Sequence, residues 1–446
     1  MRAVFGGALA AFAVMYLVAE LTLSRGVPEG VVRIRWSTDP NPARTIQTRL
    51  FSELNPGVEV VVDPGSQQKL IVQCATGTGP DVIDLYGIEH MRSCAEAGIL
   101  LDLTPYAREM GFAPENTYPA IRDGLLVDGK QYRFPCNVWA NCVIYNKKVF
   151  DDHGVSYPRK GWTYDDFIEI GRRFKTTPSK SGEKHLAVAN YYNVWFFQDL
   201  LIGCGGRQFT PDGLRSAFDS EEAIRAMRMY HDLMYVHGVL TPPSEAAALS
   251  SQGGWGAGGL NWFSAGRAAM IFIGRWYIVQ VPNWPNLKGC LGAVQLPRVG
   301  ERPSAGQCGS RAAGINVKSP HRREALKFLQ YLASPAYSRL IVADGDSMPP
   351  NPELARSGQD LVNEAVDDPE FHEPFVEALK SARPLDYSPY IDASLVQRWL
   401  SERIGQVENK LVSPEEAMRS LAAEINEKIR QNIERRPDLQ ALSSRR

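Results

Sequence analysis

A chain of 446 residues is too long for one compact core, so two or three domains are expected. Its 44% apolar and 22% charged residues are those of an ordinary globular protein, which excludes a disordered or low-complexity chain. A net charge of −1, with no long run of one sign, argues against nucleic acid as the main partner, because phosphate binding needs a basic face.

In chain order, residues 1–29 stand apart. Ala3 to Ala19 carries no charged side chain, with Arg2 before it and Glu20 after it. This is the pattern of a signal peptide or an N-terminal membrane anchor, and it places the folded part in the periplasm or otherwise outside the cytoplasm. "VAELTLSRG" offers only a weak cleavage site, and the apolar run is slightly short of the about 20 residues of a full span. No cysteine precedes Cys74 to carry a lipid, so a cleaved leader and a retained anchor both stay open.

"VVRIRW" (Val31 to Trp36) reads as a strand with alternating faces. Asn41 and Pro42 then open a helix with Ile46, Leu50 and Leu54 at helical spacing. "VEVVVD" and "PDVIDLYG" are further strands, and "IEHMRSCAEAG" is a helix that stops at Gly98. This alternation predicts an α/β domain with a largely parallel sheet. "CVIYN" (Cys142 to Asn146) is a strand. A helix follows from Thr163, with Asp166 placed for a capping box and Phe167, Ile170 and Phe174 on one face. Another starts at Ser220, buries Ile224, Met227, Leu233 and Met234, and ends at Gly238. Ala268 to Ile273 is a wholly apolar strand broken by Gly274, after which Arg275, Trp276 and Tyr277 follow at once. Ser319 and Pro320 begin a helix. The last strong helix begins at Ser413 and carries the stripe Met418, Leu421, Ala422, Ile425 and Ile429.

Catalytic signatures are missing: there is no H-E-x-x-H, G-x-S-x-G or G-x-x-x-x-G-K-[ST]. "TGTGPD" reads as a tight turn. The seven histidines form no i, i+4 pair and no cluster along the sequence, so no metal site is expected. The acidic pairs Asp151–Asp152, Asp165–Asp166 and Glu221–Glu222 sit at helix starts or turns, where they complement the helix dipole. No catalytic residue and no cofactor is assigned. The seven cysteines fit no zinc spacing. Cys136/Cys142 and Cys290/Cys308 can bridge if each pair lies on adjacent strands, and otherwise they are small buried apolar side chains. What is present is aromatic: Trp36, Trp139, "NYYNVWFFQ" (Asn190 to Gln198), Trp255 and Trp262, Trp276 and Tyr277, beside Asn, Gln and Asp. Sugar rings present C–H faces that stack on indoles, and their hydroxyls suit planar amides and carboxylates.

The ordered set "LNPGVEVVV", "GTGPDVIDL", "VIYNKKVFDDHGV", "GWTYDDFIEIGRRF", "GCGGR", "FSAGRAAMIFIGRW", "AAGINVKSPHRREALKFLQYLAS" and "SPEEAMRSLAAEINEKI" resembles the extracellular solute-binding proteins of ABC importers. The likeness is to the carbohydrate branch, which includes maltose-binding protein. The resemblance implies an α/β fold of two lobes, each a largely parallel sheet flanked by helices, with the ligand cleft between them. It assigns residues 30–141 plus 314–370 to lobe I and 142–313 plus 371–446 to lobe II. It further implies a monomer that captures a carbohydrate by hinge closure and hands it to permease subunits in the inner membrane, making and breaking no bond.

Matched onto the family, Trp139, Trp195 and Trp276 fall on ligand-contact positions, Trp139 in place of an acidic residue. Trp36, Thr38 and Asp39 follow the first strand in a cleft-lining loop, and Tyr86 ends the third strand in a similar place. Asn141, Trp262 and Tyr277 join the aromatic and amide set. Arg275, which has no basic counterpart in the family's pattern, and Arg311 are the basic candidates. Guanidinium at the cleft would suit a uronate, sugar phosphate or glycerol phosphate. That reading stays open, as do a polyamine ligand, a polysaccharide-active enzyme and a sensory role for the same fold.

Overall fold

The computed structural model describes residues 30–64, 67–189, 193–247 and 258–444. The leader, and Tyr191, Tyr192 and Trp255 of the aromatic stretches, lie outside the described residues. The principal elements are β1 (Val32–Ser37), α1 (Ala43–Leu54), β2 (Val58–Val62), β3 (Val82–Leu85), α2 (Ile88–Glu96), β4 (Phe134–Asn146), α3 (Tyr164–Thr176), β5 (Leu186–Ala189), α4 (Asn193–Gly203), α5 (Glu221–Tyr235), β6 (Ala268–Gly274), β7 (Leu291–Val294), β8 (Cys308–Ile315), α6 (Arg322–Ala333), α7 (Pro369–Ser381), α8 (Ala393–Glu408) and α9 (Pro414–Arg435). Among the described residues no helix is long and apolar enough to cross a membrane. Packing divides the chain into two units: the residues up to Ile83 with Ile315–Phe328, and Asp84–Gly314 with Leu329–Arg446.

In the smaller unit, β1 pairs in parallel with β2 and with the start of β3. Its alternation buries Ile34 and Trp36 and leaves Arg33 and Arg35 half-exposed. Arg33 answers Glu59 on the neighbouring strand at 2.7 Å. Asp81 ties the returning chain in place: its carboxylate accepts from the Arg35 amide at 2.8 Å and from Ser319 Oγ at 2.6 Å. Helix α1 departs from the expected apolar stripe. Ile46 and Leu54 are exposed, and the buried side is Ala43, Arg44, Gln47, Thr48 and Phe51. Polar groups can occupy that side because Arg44 bonds both carboxylate oxygens of Asp39, at 3.1 and 3.2 Å, and Gln47 Oε1 at 2.9 Å.

The larger unit is organised by β4. Nearly every residue of this 13-residue strand is buried, as a strand covered on both faces requires. Its first half, Phe134–Ala140, runs antiparallel to β8. From Asn141 onward its partners are β6 and β7, also antiparallel. The parallel pairing expected of a largely parallel sheet is found here between β5 and β6. Side chains alternate across the sheet into two cores. Val143, Tyr145 and Met270 join a core built with α3, α4, α5, α8 and α9. Ile144, Ile271 and Ile273 join one that includes Phe371 and Phe375 of α7. The helix caps follow their residues: Thr163 and Asp166 form a reciprocal capping box on α3, Ser220 caps α5, and Ser413 caps α9. All seven cysteines are free and buried. The bridge considered for Cys136 and Cys142 is impossible, since six residues along one strand separate them by about 20 Å.

The apolar strand β6 ends as expected at Gly274, but Arg275 turns inward. It is fully buried, donating to the carbonyls of Ser347 at 2.6 Å and Leu361 at 2.5 Å and to Nδ1 of His372 at 3.2 Å. His372 Nε2 faces the Val366 carbonyl at 2.9 Å, so that nitrogen carries the hydrogen and Nδ1 accepts. A second proton on this ring would point at Arg275, and burial together with Arg275 holds His372 down at about 4. The unfolded chain binds that proton near the ordinary value of about 6.5. The stability contributed by neutral His372 is therefore present above about pH 6.5 and is lost as pH falls toward about 4, on the order of 3 kcal/mol. Denaturant titrations across this range should show the loss in the wild type and its removal in His372→Gln, which keeps one donor and one acceptor.

Candidate ligand-binding site

A cavity of about 490 Å³ lies within the larger unit, a size suited to a small organic ligand. It is lined by Gln307, by the start of β8 from Cys308 to Ser310, and by Trp139 of β4. Trp139 stands opposite Gly309, where a β-carbon would come within 2.7 Å of the indole, so the missing side chain leaves room for the ring. Trp195, in the first turn of α4, stacks on Trp139 with ring centroids 5.5 Å apart and planes 4° from parallel. The two indoles form one apolar stack that lines the cavity.

Amides surround that stack. Gln198 lies three residues after Trp195, hence on the same helix face. Its Nε2 donates to Gln397 Oε1 at 3.2 Å, and its buried Oε1 has no partner among the described residues. Gln307 Nε2 donates to the Trp195 backbone carbonyl at 3.0 Å, which holds the Gln307 side chain against α4. Asp386 is held at the wall by Arg207 at 2.8 Å and the Gln208 amide at 3.0 Å. Tyr387 sits beneath the Arg92 guanidinium, 5.1 Å from its ring centre. Arg133 also lines the cavity. Its Nε and Nη1 bond the carbonyls of Gly124, Leu85 and Gly87 at 2.9–3.1 Å, and burial lowers its pKa to about 10, so it stays charged at neutral pH.

Under this stack lies a buried knot. Asp199 of α4 accepts from the Gln307 amide at 2.8 Å and from Asn141 Nδ2 at 2.9 Å. Burial lifts its carboxyl to about 7 against the pull of these donors.

The structure brings three of the expected residues together at the cavity: Tyr86, Trp139 and Trp195. Asn141 acts beneath it through Asp199. The others are placed elsewhere. Trp36 is fully buried against Phe328 in the smaller unit, ring centres 5.0 Å apart. Thr38 is buried, and Asp39 is engaged by Arg44. Trp262 carries the Arg267 guanidinium over its ring, 5.8 Å from the centroid. Trp276 packs partly buried against the second core, in space left by Gly274, and Tyr277 is buried on Ser264 at 2.9 Å. Arg275 is spent on carbonyls. Arg311 is buried with Asp84 at 2.8 Å and Asp346 at 3.6 Å. Neither arginine lines the cavity, because the interior needs their charge to satisfy buried acceptors. Gln198, Gln307, Gln397, Asp386, Tyr387 and Arg133 were not foreseen as site residues. Gln198 alone had a signal, its place at the end of the aromatic cluster.

Asp199 yields a pH test with the opposite sign to His372. A raised carboxyl gives stability that is fully present below about pH 4 and is lost as pH rises through about 7. Asp199→Asn should remove that slope at little cost, because its amide can accept from Gln307 and donate to Asn141 Oδ1, which has no partner among the described residues. Thermal midpoints of both proteins from pH 4 to 8 read the difference.

The sequence from residue 37 to 338 matches the family of bacterial extracellular solute-binding proteins. Among curated proteins, the chain is 27% identical over 209 residues to the arabinooligosaccharide-binding protein of Halalkalibacterium halodurans, covering 46% of this chain and 44% of that one. It is 31% identical over 151 residues to the diacetylchitobiose-binding protein DasA of Streptomyces coelicolor, covering 33% of each. The matches thus span less than half the length of these relatives. Among solved structures, an ABC substrate-binding protein from Listeria monocytogenes in complex with cycloalternan superposes with a TM-score of 0.75 at 22% identity, over 90% of this chain and 99% of that one. That likeness shows the α/β fold of the two-lobed solute-binding proteins. With more than half of its length matched, the chain belongs to the bacterial extracellular solute-binding protein family.

Proposed function

We propose that this protein is the substrate-binding component of an ABC-type importer and that it captures a carbohydrate, an oligosaccharide, in the cavity beside Trp139 and Trp195. The observation that carries the reading is the stacked indole pair ringed by Gln198, Gln307 and Gln397. Stacking accepts the C–H faces of a pyranose, and amides can both donate to and accept from its hydroxyls. The relatives named for arabinooligosaccharide and diacetylchitobiose, and the neighbour holding cycloalternan, support the ligand class.

The family is one of extracellular binding proteins, so the folded part acts outside the cytoplasm. On our reading residues 1–29 export or tether it, and it works as a monomer that makes and breaks no bond. The lobes are residues 30–141 plus 314–370 and 142–313 plus 371–446. The change of partner along β4 at Asn141 supports the first boundary, and the cavity takes residues from both spans. A ligand touching both favours closure by its differential contacts, and the closed form is what the permease engages.

One observation favours a second reading, an anionic solute such as a uronate or a sugar phosphate. Arg133 faces the cavity with Nη2 unpartnered among the described residues, and Glu89 is its nearby acidic group. A thermal-shift panel of neutral oligosaccharides, uronates, sugar phosphates and polyamines separates the readings. A ligand at about a thousand times its dissociation constant adds about 4 kcal/mol. Neutral glycans should raise the midpoint, and Trp139→Ala and Trp195→Ala should each weaken their binding at least about tenfold by calorimetry, about 1.4 kcal/mol. Selective response to anions, lost in Arg133→Lys, would establish the second reading instead.

A further inference from the structure

His153 and His185 share no sequence motif, yet their rings meet in the larger unit. His153 ends the short helix Lys147–His153, and His185 leads into β5. Nε2 of His153 lies 3.1 Å from Nδ1 of His185, with the rings 77° apart. Asp152 adds a carboxylate, and one donor atom from each of the three residues lies within 4.8 Å of the others.

The outer ring nitrogens decide what faces inward. Nδ1 of His153 lies 2.8 Å from the Thr177 carbonyl, which only accepts, so Nδ1 carries the hydrogen and Nε2 the lone pair. Nε2 of His185 lies 3.7 Å from the exposed Glu183 carboxylate, too far for a hydrogen bond, so without a metal the 3.1 Å contact is a hydrogen bond donated by His185 Nδ1 to His153 Nε2. A bound metal would take the place of that hydrogen, moving it to Nε2 of His185 and leaving both inward nitrogens as donors to the ion. The Thr177 carbonyl behind His153 is the kind of partner that orients a metal-bound histidine. Two nitrogens on one tetrahedral zinc, each at about 2.0–2.1 Å, sit about 3.4 Å apart, close to the observed separation. The Asp152 carboxylate is positioned by the Ser181 amide at 2.9 Å and by Ser181 Oγ at 2.6 Å, with acceptor positions to spare.

We propose that Asp152, His153 and His185 bind a divalent transition metal of the zinc class, with water completing the shell. Mixed nitrogen and oxygen donors suit zinc over magnesium or calcium. The metal would clip the helix end at Asp152–His153 to the 177–185 segment. That is the N-terminal end of β5, and the far end of the strand leads toward Trp195. Lys180 is a nearby cation, but its ammonium is taken by the Asp151 carbonyl at 2.8 Å.

The test is calorimetric titration of tag-free full-length protein with zinc, paired with cobalt(II) absorption. One site is expected, with visible cobalt bands and no thiolate charge-transfer band, since all seven cysteines lie elsewhere. Asp152→Asn and His185→Gln should each weaken zinc at least about tenfold and abolish the zinc-induced rise in thermal midpoint. Circular dichroism and oligosaccharide binding check that both variants fold. Absence of zinc binding, unchanged zinc affinity in both variants, a thiolate signature, or equal affinity for magnesium would each overturn the proposal.

Discussion

The cavity depends on the point where β4 exchanges one partner for another. At Ala140 the strand pairs with β8, and at Asn141 with β6, so the sheet must open there without leaving polar groups stranded. Asn141, Asp199 and the Gln307 amide close that gap. Because Asp199 belongs to α4, the same knot pins the helix that carries Trp195 and Gln198 against the strand that carries Trp139. The indole stack is therefore set by buried hydrogen bonds rather than by the rings alone. A neutral knot suits a dry site, which is why burial favours the protonated carboxyl.

The arginines divide their work by what the backbone leaves unsatisfied. Arg275 gathers carbonyls from segments 342–361 together with the ring of His372, and Arg311 joins the carboxylates of Asp84 and Asp346 across β8. Arg311 neutralises two buried carboxylates, and Arg275 stands where loops leave carbonyl groups without a ladder partner. Arg133 does the same for the 85–87 and 124 carbonyls, yet it alone of the three also lines the cavity. A guanidinium with five donors can fill a structural role and keep a donor for a ligand.

The aromatic residues sort by a different rule. Trp36 and Tyr277 meet large apolar neighbours and are fully buried, and Trp276 packs partly buried against the second core. Trp139 and Trp195 have glycine and amide neighbours, so each keeps an open edge. Glycine leaves room for an indole at both places, Gly309 for Trp139 and Gly274 for Trp276, but only the first pair lines the cavity.

Local signals in the sequence determined the elements. Capping residues marked the starts of α3, α5 and α9, apolar periodicity gave their buried faces, and the ordered motifs gave the family. The parallel start of the sheet was legible in the same way, and the family resemblance pointed to Trp139 and Trp195 singly, not to their stacking on each other. Pairing across long separations was not legible. The length of β4, the meeting of Asn141 with Asp199, of His153 with His185, and of Gln198 with Gln397 all join residues with no common local pattern. The inward turns of Arg275 and Arg311 were hidden for a related reason. A side chain's exposure follows from which unpaired carbonyls and carboxylates surround it, and only the assembled tertiary structure brings those groups to one place.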